Sequence, residues 1–353
     1  MKIILDVANS VVDCTPDIAN LLSILKCQNW ADEWLCTNFI QLVYRRDEKN
    51  SFGIFLDLMR TGNDVYIYEQ CPYLYVNLID KCFVEERFSD VFEFVYYCLE
   101  RGFYIQMYTN KHYLPQKNAP EFDFMHETFI YGIDTEERYI YISDFYDGKY
   151  KRVKCDYSSF EKAYLNSFKD NPYYQSDIYF EYPHMVKYHM DKIILIKYEK
   201  HNLYENNCNI IKEKIEDYIS GRDSFKRMEE SYLAVGYKYY YGIDFYDQML
   251  TDIENNKLDI RKPYVLYCHK VLLRDHLFIM NKCKFVKDIE QKLLPLIEEL
   301  IIISEKLYKK YLKLILKKNV YHEEIECLCK EYRELRIKDI SFMTSLLDNI
   351  EAR

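Results

Sequence analysis

The sequence has few of the residues that interrupt regular structure, with only eight glycines and eight prolines among 353 residues. Apolar and aromatic residues make up 49% of it. Because such a composition buries enough apolar surface to offset the entropy lost on ordering, we expect order over most of the chain. The length exceeds that of a typical single domain and predicts two domains.

The sequence also lacks a surplus of positive charge. Its 48 lysines and arginines stand against 57 aspartates and glutamates, for a net charge of −9. Nucleic-acid binding depends on a basic surface that displaces counterions from phosphates, so this balance argues against a nucleic-acid partner. An acidic chain instead favours a cationic ligand.

No segment has the pattern of a secretion signal or a membrane span. The first residues, MKIILDVANSVVDC, lack the basic start, the long apolar run and the small-residue cleavage site of a signal peptide. The most apolar stretch, from Leu293 to Leu316, is interrupted by glutamates and lysines, which a bilayer-spanning helix rarely contains. We therefore expect a cytoplasmic protein with no membrane partner.

The twelve cysteines lack the spacing of a zinc site. The closest two, Cys327 and Cys329, lie in a charged helical stretch without a second pair nearby, whereas zinc sites combine two close pairs. In a reducing cytosol most of the thiols are expected to stay unpaired. We predict no metal and no disulfide framework.

The first 200 residues mix short strand-like runs with helices. Six runs are rich in β-branched and aromatic residues and are bounded by turn formers: 64–69, 103–109, 128–133, 138–143, 149–154 and 191–198. They predict one mostly antiparallel sheet. Ser89 as N-cap and Gly102 as stop signal predict a helix between them, and a second helix is expected near 158–165.

After about residue 200, apolar residues recur at intervals of three and four, which is typical of amphipathic helices. This spacing predicts an all-helical domain of about five helices over residues 201–353. Residues 1–200 then form the first domain. Strands and helices alternate there without a strict βαβ order, so the expected fold class is α+β.

Cys14 is the strongest candidate for a nucleophile, because it precedes a predicted helix. Thr15 suits the N-cap, Pro16 the first helical position, and Asp17 the positive end of the helix dipole. A helix N-terminus favours the thiolate, which is the reactive form of cysteine. Cys27 is the alternative nucleophile, but it lies near the other end of that helix, where the dipole disfavours a thiolate.

His126 and Asp144 lie on two strands that are predicted to form a hairpin. His126 precedes FIYGID, Asp144 ends RYIYISD, and a turn over 132–137 separates the strands. An aspartate in this place orients an imidazole whose second nitrogen faces a thiol on another element. Each residue alone is more often an inert core or surface group, but the three together favour a functional site.

The order of these motifs resembles the papain-like peptidase clan in its bacterial forms. A DC pair that opens a helix, followed later by HETFIYGIDTEERYIYISD, is similar to the bacteriocin-processing leader peptidases. It is more similar to the butirosin-type amide-forming acyltransferases, in which a Cys-led helix runs into a leucine pair, as at Leu21 and Leu22. The resemblance implies a papain-like cysteine-protease fold followed by a helical C-terminal region.

The resemblance also implies a reaction, of the kind found in thiotemplated antibiotic biosynthesis. Cys14 would take an acyl chain from the thioester of an acyl or peptidyl carrier protein. A small amine, such as the diamine 1,3-diaminopropane, would then attack the S-acyl enzyme and form an amide. His126 would serve as base and Asp144 would hold its tautomer. No bound cofactor is expected, because the phosphopantetheine arrives on the carrier protein.

Two further assignments complete this expectation. The clan usually carries a glutamine six residues before the cysteine as an oxyanion donor, but Ala8 stands there, and Asn9 is the nearest amide. A basic run is either a solvated helix face or a docking surface for an acidic carrier protein. It consists of Lys306, Lys309, Lys310 and Lys313.

Two other functions stay open at this point. If water replaces the amine, the same three residues make the chain a cysteine peptidase or hydrolase. If Cys14 and His126 are merely core residues, the chain is a non-catalytic interaction protein.

Overall fold

The computed structural model describes residues 1–47, 55–57, 64–115, 120–167, 192–199, 208–224, 237–287, 289–317 and 321–351. The chain divides into two compact units: Met1–Asn29 with Asn63–Leu203, and Trp30–Gly62 with Tyr204–Arg353. The second division falls after Leu203, and the predicted boundary is near 200. Residues 30–62, expected in the first domain, fall in the second unit, because described residues among them, Val43–Asp47, pair with Tyr237–Tyr241.

The first unit contains a seven-stranded antiparallel sheet. Its strands are β1 (Lys2–Ile4), β4 (Leu74–Asp80), β5 (Phe103–Asn110), β6 (Met125–Asp134), β7 (Tyr139–Tyr146), β8 (Lys149–Asp156) and β9 (Lys192–Tyr198). They are ordered β4-β9-β5-β6-β7-β8, and β1 pairs with the last residues of β6. The antiparallel sheet expected from the sequence is confirmed, and with its helices the unit is α+β.

Helices lie on both faces of this sheet. They are α1 (Pro16–Leu25), α3 (Asp64–Glu69), α4 (Lys81–Arg87), α5 (Val91–Glu100) and α6 (Tyr157–Leu165). On one face, α5 and α6 cover an apolar core to which Ile105 and Ile130 contribute. On the other face lies α1, where Nδ2 of Asn20 donates to Oε1 of Gln106 at 3.0 Å.

The two hairpins that follow β6 are set by local sequence. Asp147 and Gly148 join β7 to β8 with positive φ angles of 52° and 72°, as a two-residue turn of this twist requires. Asp134 stabilises the preceding turn, where its Oδ1 accepts hydrogen bonds from two backbone N–H groups at 3.2 and 3.1 Å. The predicted hairpin between the strands of His126 and Asp144 is therefore confirmed.

Two details of the first unit differ from the sequence prediction. The run at 64–69, predicted as a strand, forms helix α3, whose Ile67 and Tyr68 are fully buried. The strand in this part of the chain is β4, an edge strand whose positions are partly or fully exposed. Helix α5 ends before Gly102 as predicted, but its N-cap is Asp90 rather than Ser89.

The second unit is mainly helical. Its helices are α2 (Asp32–Thr37), α7 (Cys208–Ile219), α8 (Phe245–Glu254), α9 (Arg261–Lys282), α10 (Leu294–Ile315) and α11 (His322–Asn349). Among the described residues after 200, five α-helices are present, in agreement with the prediction. Within the ranges that the structure describes, no helix is long and apolar enough to cross a membrane.

A small sheet in the second unit contradicts the prediction of an all-helical domain. Strands β2 (Val43–Asp47), β3 (Phe55–Asp57) and β10 (Tyr237–Tyr241) form three antiparallel strands in the order β10-β2-β3. The partner of β10 comes from far earlier in the chain. A local pattern cannot reveal such a pairing, because the stabilising contacts are made with residues outside any short window.

Candidate active site

His126 and Asp144 are in contact, as the sequence predicts. Nδ1 of His126 lies 2.7 Å from Oδ1 of Asp144, and the aspartate side chain is fully buried while that of the histidine is 21% exposed. The carboxylate and the imidazole thus form a close pair, and part of the histidine side chain stays exposed.

The segment that leads into β6 is fixed by Asn110, the last residue of β5. Nδ2 of Asn110 donates to Oδ1 of Asp123 at 2.7 Å, and its Oδ1 accepts from the backbone N–H of Phe124 at 3.3 Å. The Phe124 ring in turn lies 5.6 Å from the imidazole of His126, measured between ring centroids. These contacts set where β6 begins and hence where His126 stands.

Lys111 is a site residue that the sequence does not mark. Its Nζ lies 3.1 Å from Oδ2 of Asp144, and its side chain is only 7% exposed. Nζ also lies 5.3 Å from the centroid of the Tyr146 ring. The carboxylate of Asp144 is thus held between a histidine and a lysine. A lysine in a turn after a strand carries no local signal of this role.

A second carboxylate lies on the other side of the imidazole. Oε2 of Glu127 is 3.7 Å from Nε2 of His126, and the Tyr108 hydroxyl donates to Oε1 of Glu127 at 2.7 Å. The Glu127 side chain is 19% exposed. Each ring nitrogen of His126 therefore has an acidic neighbour.

These neighbours set the protonation of His126. Burial lowers the pKa of the imidazole, and Lys111 also lowers it, but Asp144 and then Glu127 raise it by more. The pKa of His126 is therefore raised above its ordinary value of 6.5. A histidine with a raised pKa favours the imidazolium form, which stabilises a neighbouring thiolate.

Cys14 is half-buried and precedes α1 as predicted. Thr15 occupies the N-cap position with an extended backbone, and Pro16 begins the helix. The Thr15 side chain does not make the expected cap hydrogen bond. Asp17 lies in the first turn, where its Oδ1 accepts from the N–H of Ile18 at 3.0 Å. The thiol thus stands beside the positive end of the helix dipole.

Helix α1 runs antiparallel to β5. Its C-terminal half lies by the start of β5, because the Tyr104 hydroxyl donates to the Asp6 carbonyl at 2.6 Å and the Ala8 N–H donates to the Ser23 carbonyl at 2.9 Å. Further along, Asn20 is bonded to Gln106. The N-terminal half of α1 therefore points toward the end of β5.

Cys14 and Thr109 are at similar distances along their own elements from the bond between Asn20 and Gln106. From Asn20 back to Cys14 the chain advances about 9 Å at helical rise. From Gln106 to Thr109 the strand advances about 10 Å, and Thr109 is the registered partner of His126.

The faces of the sheet distinguish the cysteine from the other two residues. Successive residues of a strand alternate between faces, so Thr109, three positions from Gln106, belongs to the face opposite α1. His126 shares that face as the partner of Thr109, and Asp144 contacts it there. The structure thus joins His126 to Asp144, while the helix that follows Cys14 packs on the other face of the sheet.

The alternative nucleophile and the expected oxyanion donor have other surroundings. Burial and the nearby Asp6 raise the pKa of the Cys27 thiol, and its Sγ donates to the Ser23 carbonyl at 3.4 Å. These contacts favour the neutral thiol. Asn9 is exposed, and its Oδ1 accepts from the guanidinium of Arg152.

The predicted lysine run lies on α10, where part of its charge is balanced. Lys309 pairs with Glu305 at 2.6 Å, and Lys310 pairs with Glu331. Lys306 and Lys313 are exposed. Docking of a carrier protein on this face stays a prediction, and the glutamates reduce the positive potential available to it.

The described ranges contain no group of three or more histidine, cysteine or acidic side chains that could hold a metal ion. All twelve cysteines lie within these ranges, and none of them is in a disulfide there. No protein-family model matches this chain, and a search of curated proteins finds no match.

Proposed function

We propose that this chain is a cysteine-dependent acyltransferase of papain-like fold, which moves an acyl chain from a carrier-protein thioester, through an S-acyl Cys14, to an amine. The observation that carries the proposal is the contact between His126 and the buried Asp144 on one hairpin. This contact lies at the end of β5 toward which the N-terminal half of α1 extends. The order of the motifs in the sequence, similar to the amide-forming acyltransferases, supports the same conclusion.

The first half of the reaction transfers the acyl group to the enzyme. The Cys14 thiolate attacks the carbonyl carbon of the thioester, and the carbon–sulfur bond to the phosphopantetheine breaks. The leaving thiolate takes its proton from the His126 imidazolium. One thioester replaces another, so this step is close to thermoneutral.

The second half forms the amide. The amine nitrogen attacks the S-acyl carbonyl, the bond to Sγ of Cys14 breaks, and His126 accepts the proton that the nitrogen loses. The products are an amide and the restored thiolate–imidazolium pair. An amide is more stable than a thioester, so the reaction requires no nucleotide.

The charges at the site suit both steps. The raised pKa of His126 favours the imidazolium that the first step consumes. The amine arrives as a cation, which the partly exposed Glu127 beside Nε2 of His126 attracts to the acyl-enzyme. It loses one proton to solvent, and the free base then attacks. The reaction further requires the Cys14 thiol to meet the imidazole around the start of β6.

Intact-protein mass spectrometry tests the proposal. The probe is an acyl-N-acetylcysteamine thioester, mixed with wild type, Cys14→Ala and Cys27→Ala, each with and without 1,3-diaminopropane. We expect an acyl adduct on wild type and Cys27→Ala but not on Cys14→Ala. We further expect the diamine to discharge that adduct as an amide.

The other outcomes identify the alternatives. Rapid release of the free acid whatever the amine concentration indicates a hydrolase. An adduct that is retained in Cys14→Ala and lost in Cys27→Ala makes Cys27 the nucleophile. If neither thiol is acylated, the chain is not an acyltransferase.

A further inference from the structure

The second oxygen of Asp144 has a charged neighbour of its own. Oδ1 faces His126, while Oδ2 lies 3.1 Å from Nζ of Lys111. The aspartate is 0% exposed and the lysine 7%. A buried carboxylate is costly unless a positive charge compensates it. Before His126 takes up a proton, Lys111 is the cation that the structure places against Asp144.

We propose that Lys111 is a positioning residue of the site, which holds the Asp144 carboxylate from the side opposite the imidazole and balances its charge. The proposal rests on the function proposed above, since it gives Lys111 a part in presenting His126 to the acyl group. With Lys111 in place, the lysine balances the Asp144 carboxylate, and an imidazolium at His126 balances Glu127. The site can then be both buried and ionised.

The geometry distinguishes this role from simple packing. Lys111 follows β5 directly, and its backbone N–H donates to the Phe124 carbonyl at 2.7 Å. The same short segment therefore carries the lysine and fixes the entry of β6, which begins just before His126. A shift of this segment moves Nζ and the imidazole together.

The ionisable side chains around the pair come from several strands. Asp144 and Tyr146 belong to β7, Glu127 to β6, Tyr108 to β5 and Tyr150 to β8. Of these, Asp144 and Glu127 raise the pKa of His126, and Lys111 lowers it. Removal of the Lys111 charge is therefore expected to raise the pKa of His126.

The experiment measures the titration of His126 directly, by NMR of the full chain with ring-labelled histidine. The chain has eight histidines, and the His126 signal is assigned from its loss in His126→Gln. We expect Lys111→Met to shift the His126 pKa upward and Lys111→Arg, which keeps the charge, to restore it. We also expect Lys111→Met to slow acylation of Cys14 by about 10- to 100-fold. Loss of a residue that orients a metal-bound histidine lowers activity by a similar factor.

Lys81 provides a matched control in the same unit. Its side chain is 1% exposed, and its Nζ donates to the Tyr108 carbonyl at 2.7 Å and to Oγ of Ser167 at 2.6 Å. Lys81→Met removes an equally buried positive charge that has a different set of partners. We expect it to lower the melting temperature while the titration of His126 stays as in wild type.

The possible results separate this proposal from the function on which it rests. An unchanged or lowered His126 pKa in Lys111→Met overturns the role of Lys111, whether or not Cys14 is acylated. An equal shift in Lys81→Met overturns it as well, because the effect is then not specific.

If Lys111→Met does not fold, Lys111→Gln, which retains a hydrogen-bond donor without the charge, gives the same comparison. If Lys111→Met shifts the titration of His126 but Cys14 of the wild type is not acylated, the proposed acyltransferase function is wrong. The ionic arrangement of Lys111, Asp144 and His126 then still holds.

Discussion

The two units of the molecule each bury a lysine, an aspartate and a histidine, but with different consequences. In the second unit, Nζ of Lys270 lies 2.6 Å from Oδ2 of Asp339, and both side chains are 0% exposed. The hydroxyls of Tyr218 and Tyr246 donate to the same oxygen at 2.7 and 3.1 Å. This cluster is closed to solvent, whereas its counterpart in the first unit leaves His126 partly exposed.

The two histidines show the difference most clearly. In the second unit, Nε2 of His269 lies 2.8 Å from the Ile40 carbonyl and Nδ1 lies 3.1 Å from Nζ of Lys270. Burial, followed by the charge of Lys270, lowers the pKa of His269 well below its ordinary value. Acidic neighbours raise the pKa of His126 instead. The surroundings of His269 favour a neutral, structural imidazole, whereas the acidic neighbours of His126 favour the charged imidazolium.

The largest expected effect comes from Asp144→Ala. Loss of the carboxylate frees the imidazole to rotate and removes the charge that favours the imidazolium. We expect acylation of Cys14 to slow by about 10⁴, the loss found for orienting aspartates of other triads. The measurement is the rate of adduct formation by mass spectrometry, with circular dichroism to show that the fold is kept. Acylation at the wild-type rate would show that Asp144 does not orient the base.

Asp339→Ala tests the closed cluster in the second unit. It leaves Lys270 as a buried charge without its carboxylate, so we expect a loss of about 3–5 kcal/mol in the free energy of unfolding. Urea unfolding measures this loss. The double variant Lys270→Met with Asp339→Leu should recover most of it, because no unpaired charge remains. If Asp339→Ala slows acylation under folding conditions as much as Asp144→Ala does, the cluster in the second unit is not purely structural.

The smallest effect is the dependence of stability on pH, for which the two histidines have opposite signs. Because folding raises the pKa of His126, protonation of this histidine stabilises the folded state. The stabilisation is complete below about pH 6.5, the pKa in the unfolded chain, and is lost as the pH rises through the pKa in the folded chain. The lowered pKa of His269 makes stability fall as pH drops below the same unfolded value. Urea unfolding between about pH 5 and pH 8.5 measures both slopes.

Single variants assign these slopes to their residues. His126→Gln is expected to flatten the alkaline side of the stability profile, and His269→Gln the acidic side. If His126→Gln instead flattens the acidic side, the acidic neighbours of His126 do not dominate its environment.

The sequence predicted the parts of the site that depend on local pattern. The start of α1 behind Cys14 follows from Pro16 and Asp17, and the hairpin that brings His126 to Asp144 follows from two alternating strands around a polar turn. Local pattern failed where tertiary contacts decide the structure. Residues 64–69 form a helix despite their strand-like composition, and β10 pairs with a strand from the beginning of the chain.

The sequence by itself determined that this chain has a mixed first part, a largely helical second part, and a hairpin that joins His126 to Asp144. Only the tertiary structure decided that Lys111 stands against Asp144, that Glu127 flanks the imidazole, and that residues 30–62 belong to the second unit. The physical reason is distance along the chain. Helix starts and hairpins are encoded by neighbouring residues, whereas buried charge pairs depend on which strands and turns meet after folding.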